Sequence, residues 1–317
     1  MENQKVLITG GAGYIGSVLS KRLLELGYKV TCLDKLIYKQ TSPLDLLDHP
    51  NFEFVWGDVR DRALLERLVP GKDIIIPLAA LVGMPLCEQN PRESEEINYG
   101  AVKLINELRT NDQKMIFPNT NSGYGIHSDD SHCTEDTPLN PISVYGKTKC
   151  DAEKHLLESP KDAVTFRLAT VFGASPRMRT DLIVGDFVLT ALKKRNLVLF
   201  EKNFRRNFIH IKDVVRAFIH AIENFEEMKN KPYNLGLDDA NLTKLELAEK
   251  IKTFLPKTEI LEAEIGEDPD KRDYLVSNKR LLDTGFRPKY SLDYGIQELL
   301  KVYEVLLRIE NKEYRNF

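Results

Sequence analysis

The stretch PISVYGKTK, residues 141–149, sets Tyr145 and Lys149 four residues apart, just behind a proline. On a helix that spacing stacks the two side chains on one face. Asn140 is placed to cap such a helix and Pro141 to occupy its first turn. A free tyrosine has a pKa of about 10 and is a poor base near neutrality. An ammonium beside it favours the phenolate, at about 1.4 kcal/mol for each tenfold gain in acidity. A phenol acidified in this way suits general base catalysis. The pair alone also occurs on ordinary amphipathic helices, so its meaning depends on its surroundings.

Those surroundings begin at VLITGGAGYIGSVL, residues 6–19. Gly10, Gly13 and Gly16 follow an apolar strand-like run and open a helical one, with Tyr14 and Ile15 between them. Gly10 permits a tight turn, Gly13 lets a pyrophosphate reach the backbone, and Gly16 lets the helix pack near the sheet. The helix N-terminus adds N–H groups and positive dipole for phosphates. Asp34 closes the next apolar run, where a carboxylate can accept from the ribose hydroxyls of NAD and would repel the 2′-phosphate of NADP. Lys35 would soften that repulsion; NAD remains the favoured cofactor. Asp58 and Val59, in WGDVRD, end a third run within reach of an adenine, although an Asp there also suits a turn.

Strand-like runs at 5–9, 29–33, 53–56, 73–77, 114–118 and 163–168 alternate with helical periods. Ile74–Ile76 shows no polar alternation, as expected of a strand covered on both faces. Between the first two runs, Ile15, Val18, Leu19, Leu23 and Leu26 form an apolar stripe that Gly27 ends. The alternation predicts a Rossmann-type α/β fold, a doubly wound parallel sheet with a smaller C-terminal substrate-binding lobe. The expected division is an NAD-binding domain over 1–170, completed by part of 207–236, and a substrate lobe from 171–206 and 237–317. Within the lobe, 176–206 reads as basic and irregular, and helices are expected at 243–254 and 291–309.

The bulk composition excludes several classes. A net charge of −3 over 317 residues argues against general binding to nucleic acid or anionic lipid. Four scattered cysteines without a CxxC pair argue against disulfides and zinc and fit a reducing compartment. The N-terminus shows no leader pattern, and no apolar run nears the ~20 residues of a membrane span. A cytoplasmic protein is expected.

Taken in order, the glycine pattern, Asp34, GDVRD, Leu78–Ala79–Ala80, Asn98 and the Tyr145/Lys149 pair resemble the extended short-chain dehydrogenase/reductases that act on nucleotide sugars. The likeness spans nearly the whole chain. Around LAALVGMPLCEQNP it is similar to bacterial members that oxidise a GDP-heptose at C4 for capsule synthesis. The resemblance implies that Lys149 also binds the nicotinamide ribose. It places Thr120, in FPNTNSGYG, on the reacting sugar oxygen. Members that are 4,6-dehydratases carry Asp-Glu at the next two positions. This chain has Asn121 and Ser122, and an amide cannot act as that acid, so no dehydration is expected.

A sugar diphosphate calls for arginines. The resemblance points to Arg206, in RRNFIHIKD, and Arg272, in DPDKRDY; Arg177 and Arg179, in SPRMRTD, are further candidates. Thr170 stands where the family often has asparagine, and Met84 lies on the loop beside the expected sugar. His210 reads as structural rather than as a second base. The resemblance implies a homodimer through helices near 95–109 and 145–158. Two outcomes stay open: a C4 dehydrogenase, whose reduced cofactor leaves or meets a second acceptor, and a 4-epimerase. A non-catalytic NAD-binding regulator would typically have lost Tyr145 or Lys149, and both are present.

Overall fold

The computed structural model describes residues 3–127, 131–263 and 272–308. Seven parallel strands lie in the order Lys231–Leu235, Ala163–Leu168, Lys114–Thr120, Ile74–Pro77, Lys5–Thr9, Lys29–Asp34 and Phe52–Trp56. The chain winds outward from Lys5–Thr9 through two strands, then crosses back to Ile74–Pro77 on the other side. Connections leaving those two neighbours diverge, which opens a crevice at their carboxyl ends. This is the expected Rossmann-type, doubly wound sheet.

The apolar runs explain why the sheet sits at the centre. Val6–Ile8 and Ile74–Ile76 are fully buried, with successive side chains on opposite faces. Val6, Ile8, Ile74 and Ile76 join Leu19, Leu23 and Phe218 in one core cluster. Leu7, Ile75, Met115 and Phe117 join Ile105, Ala152 and Leu156 in the other. Each cluster anchors a helix that matters for the site. Tyr14–Glu25 rests on the first face and Val144–Leu157 on the second.

Smaller sheets follow. Thr170–Phe172, Arg205–His210 and Asn241–Thr243 form one of three strands. The stretch 176–206 departs from its expected irregularity, since it holds the helix Ile183–Lys194 and the strand Asn196–Leu199. Val184, Val188 and Ala191 carry a helical period that the surrounding charge obscures, and Lys193 and Lys194 suit the helix carboxyl end. The later helices are Lys244–Phe254, capped by a Thr243/Glu246 box, and Leu292–Leu306, capped by Ser291.

Two glycines set tight backbone approaches at the cleft. Gly10 sits at φ +71°, and a Cβ there would lie 2.6 Å from the Ala79 nitrogen. A Cβ on Gly16 would lie 2.5 Å from the Gly10 carbonyl oxygen. Both obstacles are backbone and cannot swing aside. Gly10→Ala is therefore expected to lower the unfolding free energy by about 2–4 kcal/mol, combining φ strain and overpacking. Urea unfolding followed by circular dichroism checks this, and an unchanged midpoint would show that the strand ends can separate.

Candidate active site

Ser143, rather than Asn140, caps the Tyr145 helix, its hydroxyl accepting from the Gly146 amide at 3.1 Å. The helix starts at Val144, so Pro141 lies outside it and Tyr145 falls in its first turn. Ala152 and Leu156 pin the far end against the sheet face that carries Phe117. Lys149 is 4% exposed, and its Nζ lies 4.0 Å from the centroid of the Phe117 ring. Thr120 ends the strand Lys114–Thr120, and its hydroxyl is 2.8 Å from that of Ser122. Arg272 donates to the same Ser122 hydroxyl.

The electrostatics reverse one expectation. Burial pushes the Tyr145 phenol up to about 12, with Cys87 adding to the rise; Arg179, Arg272 and the adjoining Thr120 hydroxyl oppose it. Burial pushes Lys149 down to about 7, against the lesser pull of Cys150 and Glu153. In the free protein, then, the phenol lies above its ordinary value despite the cationic groups near it. Desolvation outweighs the neighbourly effect for both groups, because each charged form has left water for a largely apolar wall.

Tyr145, Lys149, Thr120 and Ser122 stand at one side of a cleft of about 530 Å³. Gly10, Gly13, Tyr14, Ile15 and Gly16 form its floor, and Leu78, Ala79 and Ala80 line the neighbouring strand end. Asp34, Lys35, Asp58, Val59, Met84, Thr170, Arg177, Arg179 and Arg272 also line it. Three expected site residues do not. Asn98 is fully buried, accepting from the Leu81 amide at 2.8 Å and donating to the Leu81 carbonyl at 3.0 Å, so it holds the cleft wall from behind. Asn121 is buried beneath the loop, both side-chain polar atoms unpartnered. Arg206 is buried in its strand, donating to the Arg205 carbonyl at 2.9 Å.

The Asp34 carboxylate accepts from the Ala12 amide at 3.0 Å, inside the glycine turn, and from the Leu36 amide at 2.8 Å. Burial raises its pKa and these amides counter it. Lys35 does not screen Asp34; it pairs with Asp58 at 2.9 Å. Hydrogen bonds from Arg60 hold Asp58 well below the usual carboxylate range. Sequence reasoning missed Tyr38, Gln40 and Arg60 on the lining. Gln40 donates to Asp34 at 3.2 Å, and the Arg177 guanidinium lies 4.4 Å from the centre of the Tyr38 ring. Gln40 and Tyr38 follow Asp34 closely in sequence, and that nearness was the available signal.

These residues suit a dinucleotide. The glycines leave the space and the N–H groups that phosphates need, and the Asp34 carboxylate stands where a ribose diol can donate. Among the described residues, no three His, Cys, Asp or Glu side chains gather to hold a metal ion, and no helix is long and apolar enough to cross a membrane.

The buried lysine generates a prediction for the free protein. Its folded pKa of about 7 lies below the ordinary value. The unfolded chain therefore binds more protons between the two, and stability rises with pH across that window. Lys149→Met removes the penalty on the charged form and keeps the apolar stem. It should raise the unfolding free energy by on the order of 2–4 kcal/mol at pH 6 and by far less at pH 10. A gain that does not vary with pH in urea titrations would refute this.

Known proteins place the site in a lineage. A model of the "NAD dependent epimerase/dehydratase family" matches residues 6–236. The low-salt glycan biosynthesis protein Agl12 of Haloferax volcanii is 29% identical over 94% of this chain and 98% of its own. A UDP-glucose 4-epimerase of Lactobacillus helveticus is 29% identical over 90% and 92%. The structure of a dTDP-glucose 4,6-dehydratase of Bacillus anthracis in complex with NAD superposes with a TM-score of 0.82 at 25% identity, covering 98% of both chains. The chain belongs to the NAD dependent epimerase/dehydratase family, and NAD is its cofactor.

Proposed function

We propose that this enzyme oxidises a nucleotide-activated sugar at C4, with Tyr145 as the base. One observation carries the reading: Tyr145, Thr120 and Lys149 line the same cleft as the glycine turn and Asp34. NAD, when bound, supplies a cationic ring that takes up hydride. Thr120 orients the C4 hydroxyl and Tyr145 accepts its proton. A phenol held at about 12 is protonated at neutral pH, so Tyr145 becomes a base only when cationic charge is brought beside it. The cationic ring of bound NAD would supply such charge, and Lys149, one turn along the same helix and on the same cleft, would add to it when protonated. Lys149 also serves the nicotinamide ribose. Asp34 and the glycine turn hold the adenosine and pyrophosphate ends, and Asp34 favours NAD over NADP.

On the sugar side, Arg177, Arg179 and Arg272 line the cleft and supply positive charge for a diphosphate. These arginines fall within the segments 171–206 and 237–317 that the proposal assigns to the substrate lobe. Arg206, buried off the lining, acts on the substrate only if its strand shifts. Asn121 and Ser122 supply no carboxyl group for eliminating water, which separates this reaction from a 4,6-dehydration.

If the reaction stops at the 4-keto sugar, the enzyme is a dehydrogenase whose reduced cofactor is released or meets a second acceptor. The similarity of LAALVGMPLCEQNP to GDP-heptose oxidising enzymes supports a GDP-heptose as the substrate, in capsule synthesis in the cytoplasm. The likeness to the Lactobacillus UDP-glucose 4-epimerase favours the other outcome, in which hydride returns to the opposite face of the sugar. A homodimer through segments 95–109 and 145–158 belongs to the same proposal.

Purified protein with NAD and a panel of GDP-, UDP-, dTDP- and CDP-sugars tests the proposal, read by NADH absorbance and product NMR. A 4-keto product with NADH supports the dehydrogenase; inversion at C4 without net NADH supports the epimerase. Tyr145→Phe should reduce turnover by about 10²–10⁴-fold and leave the NAD dissociation constant within twofold. Turnover close to wild type would remove Tyr145 from the mechanism.

A further inference from the structure

The segment that brings Arg177 and Arg179 into the cleft is fastened on two sides. Toward the cofactor turn, the Tyr14 hydroxyl donates to the Gly173 carbonyl at 2.7 Å, and the Ser175 hydroxyl donates to the Tyr14 carbonyl at 2.7 Å. On the other side stands Glu298, on the helix Leu292–Leu306. One of its oxygens accepts from the Ala174 amide at 2.8 Å and lies 3.0 Å from His210 Nε2. Its second oxygen accepts from Lys212 Nζ at 2.5 Å.

The His210 tautomer follows from its other nitrogen. Nδ1 accepts the Lys212 amide at 3.2 Å, so Nε2 carries the proton and donates to Glu298. Glu298 thus receives three donors and offers none. Burial would raise its pKa, but hydrogen bonds from His210, Lys212 and the Ala174 amide outweigh that and hold it at about 2. His210 cannot retreat, because Gly173 packs so closely that a Cβ there would lie 2.6 Å from Nε2. A fully ionised, fully engaged carboxylate therefore grips the start of the arginine segment.

We propose that Glu298 is a positioning residue: through the Ala174 amide it sets Arg177 and Arg179 against the substrate's diphosphate. It never touches the substrate. This rests on the reading above that those arginines meet a diphosphate. A carboxamide cannot replace the carboxylate, because its NH₂ must face Lys212 or the Ala174/His210 pair, donor against donor. Flipping the histidine tautomer would give up the Lys212 amide bond.

The test uses GDP and UDP as probes, titrated calorimetrically into NAD-loaded protein, beside NAD affinity and the thermal midpoint. Glu298→Gln should weaken the diphosphate that binds wild type by about tenfold or more, while NAD affinity changes less than threefold. Lys212→Met, which leaves the Ala174 contact in place, should change diphosphate affinity less than threefold. Should Glu298→Gln fail to fold, Glu298→Asp carries the test: it keeps the charge but is one methylene short of spanning to Ala174. Equal loss of NAD and diphosphate affinity would reduce Glu298 to a general structural role and overturn the proposal. Arg179→Gln separates the two readings. If it weakens the diphosphate and Glu298→Gln does not, the positioning role alone falls. If Arg179→Gln has no effect, or if none of GDP, UDP, dTDP and CDP, titrated in the same way, binds wild type, the diphosphate reading falls and takes this inference with it.

Discussion

The cleft depends on how closely two backbones approach where the strand order reverses. Gly10 follows Lys5–Thr9 and Ala79 follows Ile74–Pro77, and no side-chain atom fits between them. That contact fixes the turn, the turn fixes the start of the helix Tyr14–Glu25, and the helix start offers its N–H groups to a phosphate. The same helix start then serves as the anchor for a distant segment, since Tyr14 bonds to Gly173 and to Ser175. One steric constraint thus propagates from the cofactor floor to the arginines of the opposite wall. Its enforcement comes from the sheet: Val6–Ile8 and Ile74–Ile76 are locked between two apolar clusters, so the strand ends cannot spread to relieve a clash.

Burial also governs the chemistry. Tyr145 and Lys149 lie on a helix whose far end is pinned by Ala152 and Leu156; Lys149 is buried against Phe117, and Tyr145 is half-buried on the cleft. Desolvation moves the phenol up and the ammonium down, so in the free protein burial disfavours the charged form of each. This is the poise a charge-transferring site requires. Charge is disfavoured until a partner of opposite or compensating charge arrives, and the arriving partner is then felt through a medium of low polarity. A solvated tyrosine and lysine at the same spacing would start closer to their ordinary values and respond less.

The sheet and the glycine turn were legible in the sequence because their signals are local. An unbroken apolar run reads as a buried strand, and three glycines between strand and helix read as a cradle. The six expected strand runs all carry strands, and Asp34, Tyr145 and Lys149 share one cleft. The failures have two physical origins. The helix Ile183–Lys194 was obscured by the charged segments on either side of it, and the cap moved from Asn140 to Ser143 because two polar residues three positions apart compete for one role. The others arose from long-range packing. Arg206 and Asn121 belong to motif positions, yet Arg206 turns inward from its strand and Asn121 is buried in the turn after Thr120, so neither lines the cleft. The sign of the tyrosine shift needed the same information, since spacing reveals a neighbour and says nothing of the solvent both have lost.

That division bears on how one fold serves several reactions. The floor is built from features the fold itself requires: strand ends, a glycine turn and a helix start. The reacting wall is built from single side chains at the end of Lys114–Thr120 and on the loop after it. Asn121 and Ser122 place no carboxyl group there, and the loop is also held from elsewhere. Tyr124 donates to Asn234 at 2.6 Å and receives from Arg167 at 3.0 Å, and Arg167 in turn pairs with Glu153 on the Tyr145 helix. The network ties the loop to the Tyr145 helix through Tyr124, Arg167 and Glu153. Similarity of fold to a dehydratase therefore does not by itself assign the reaction, which rests on single side chains of the site.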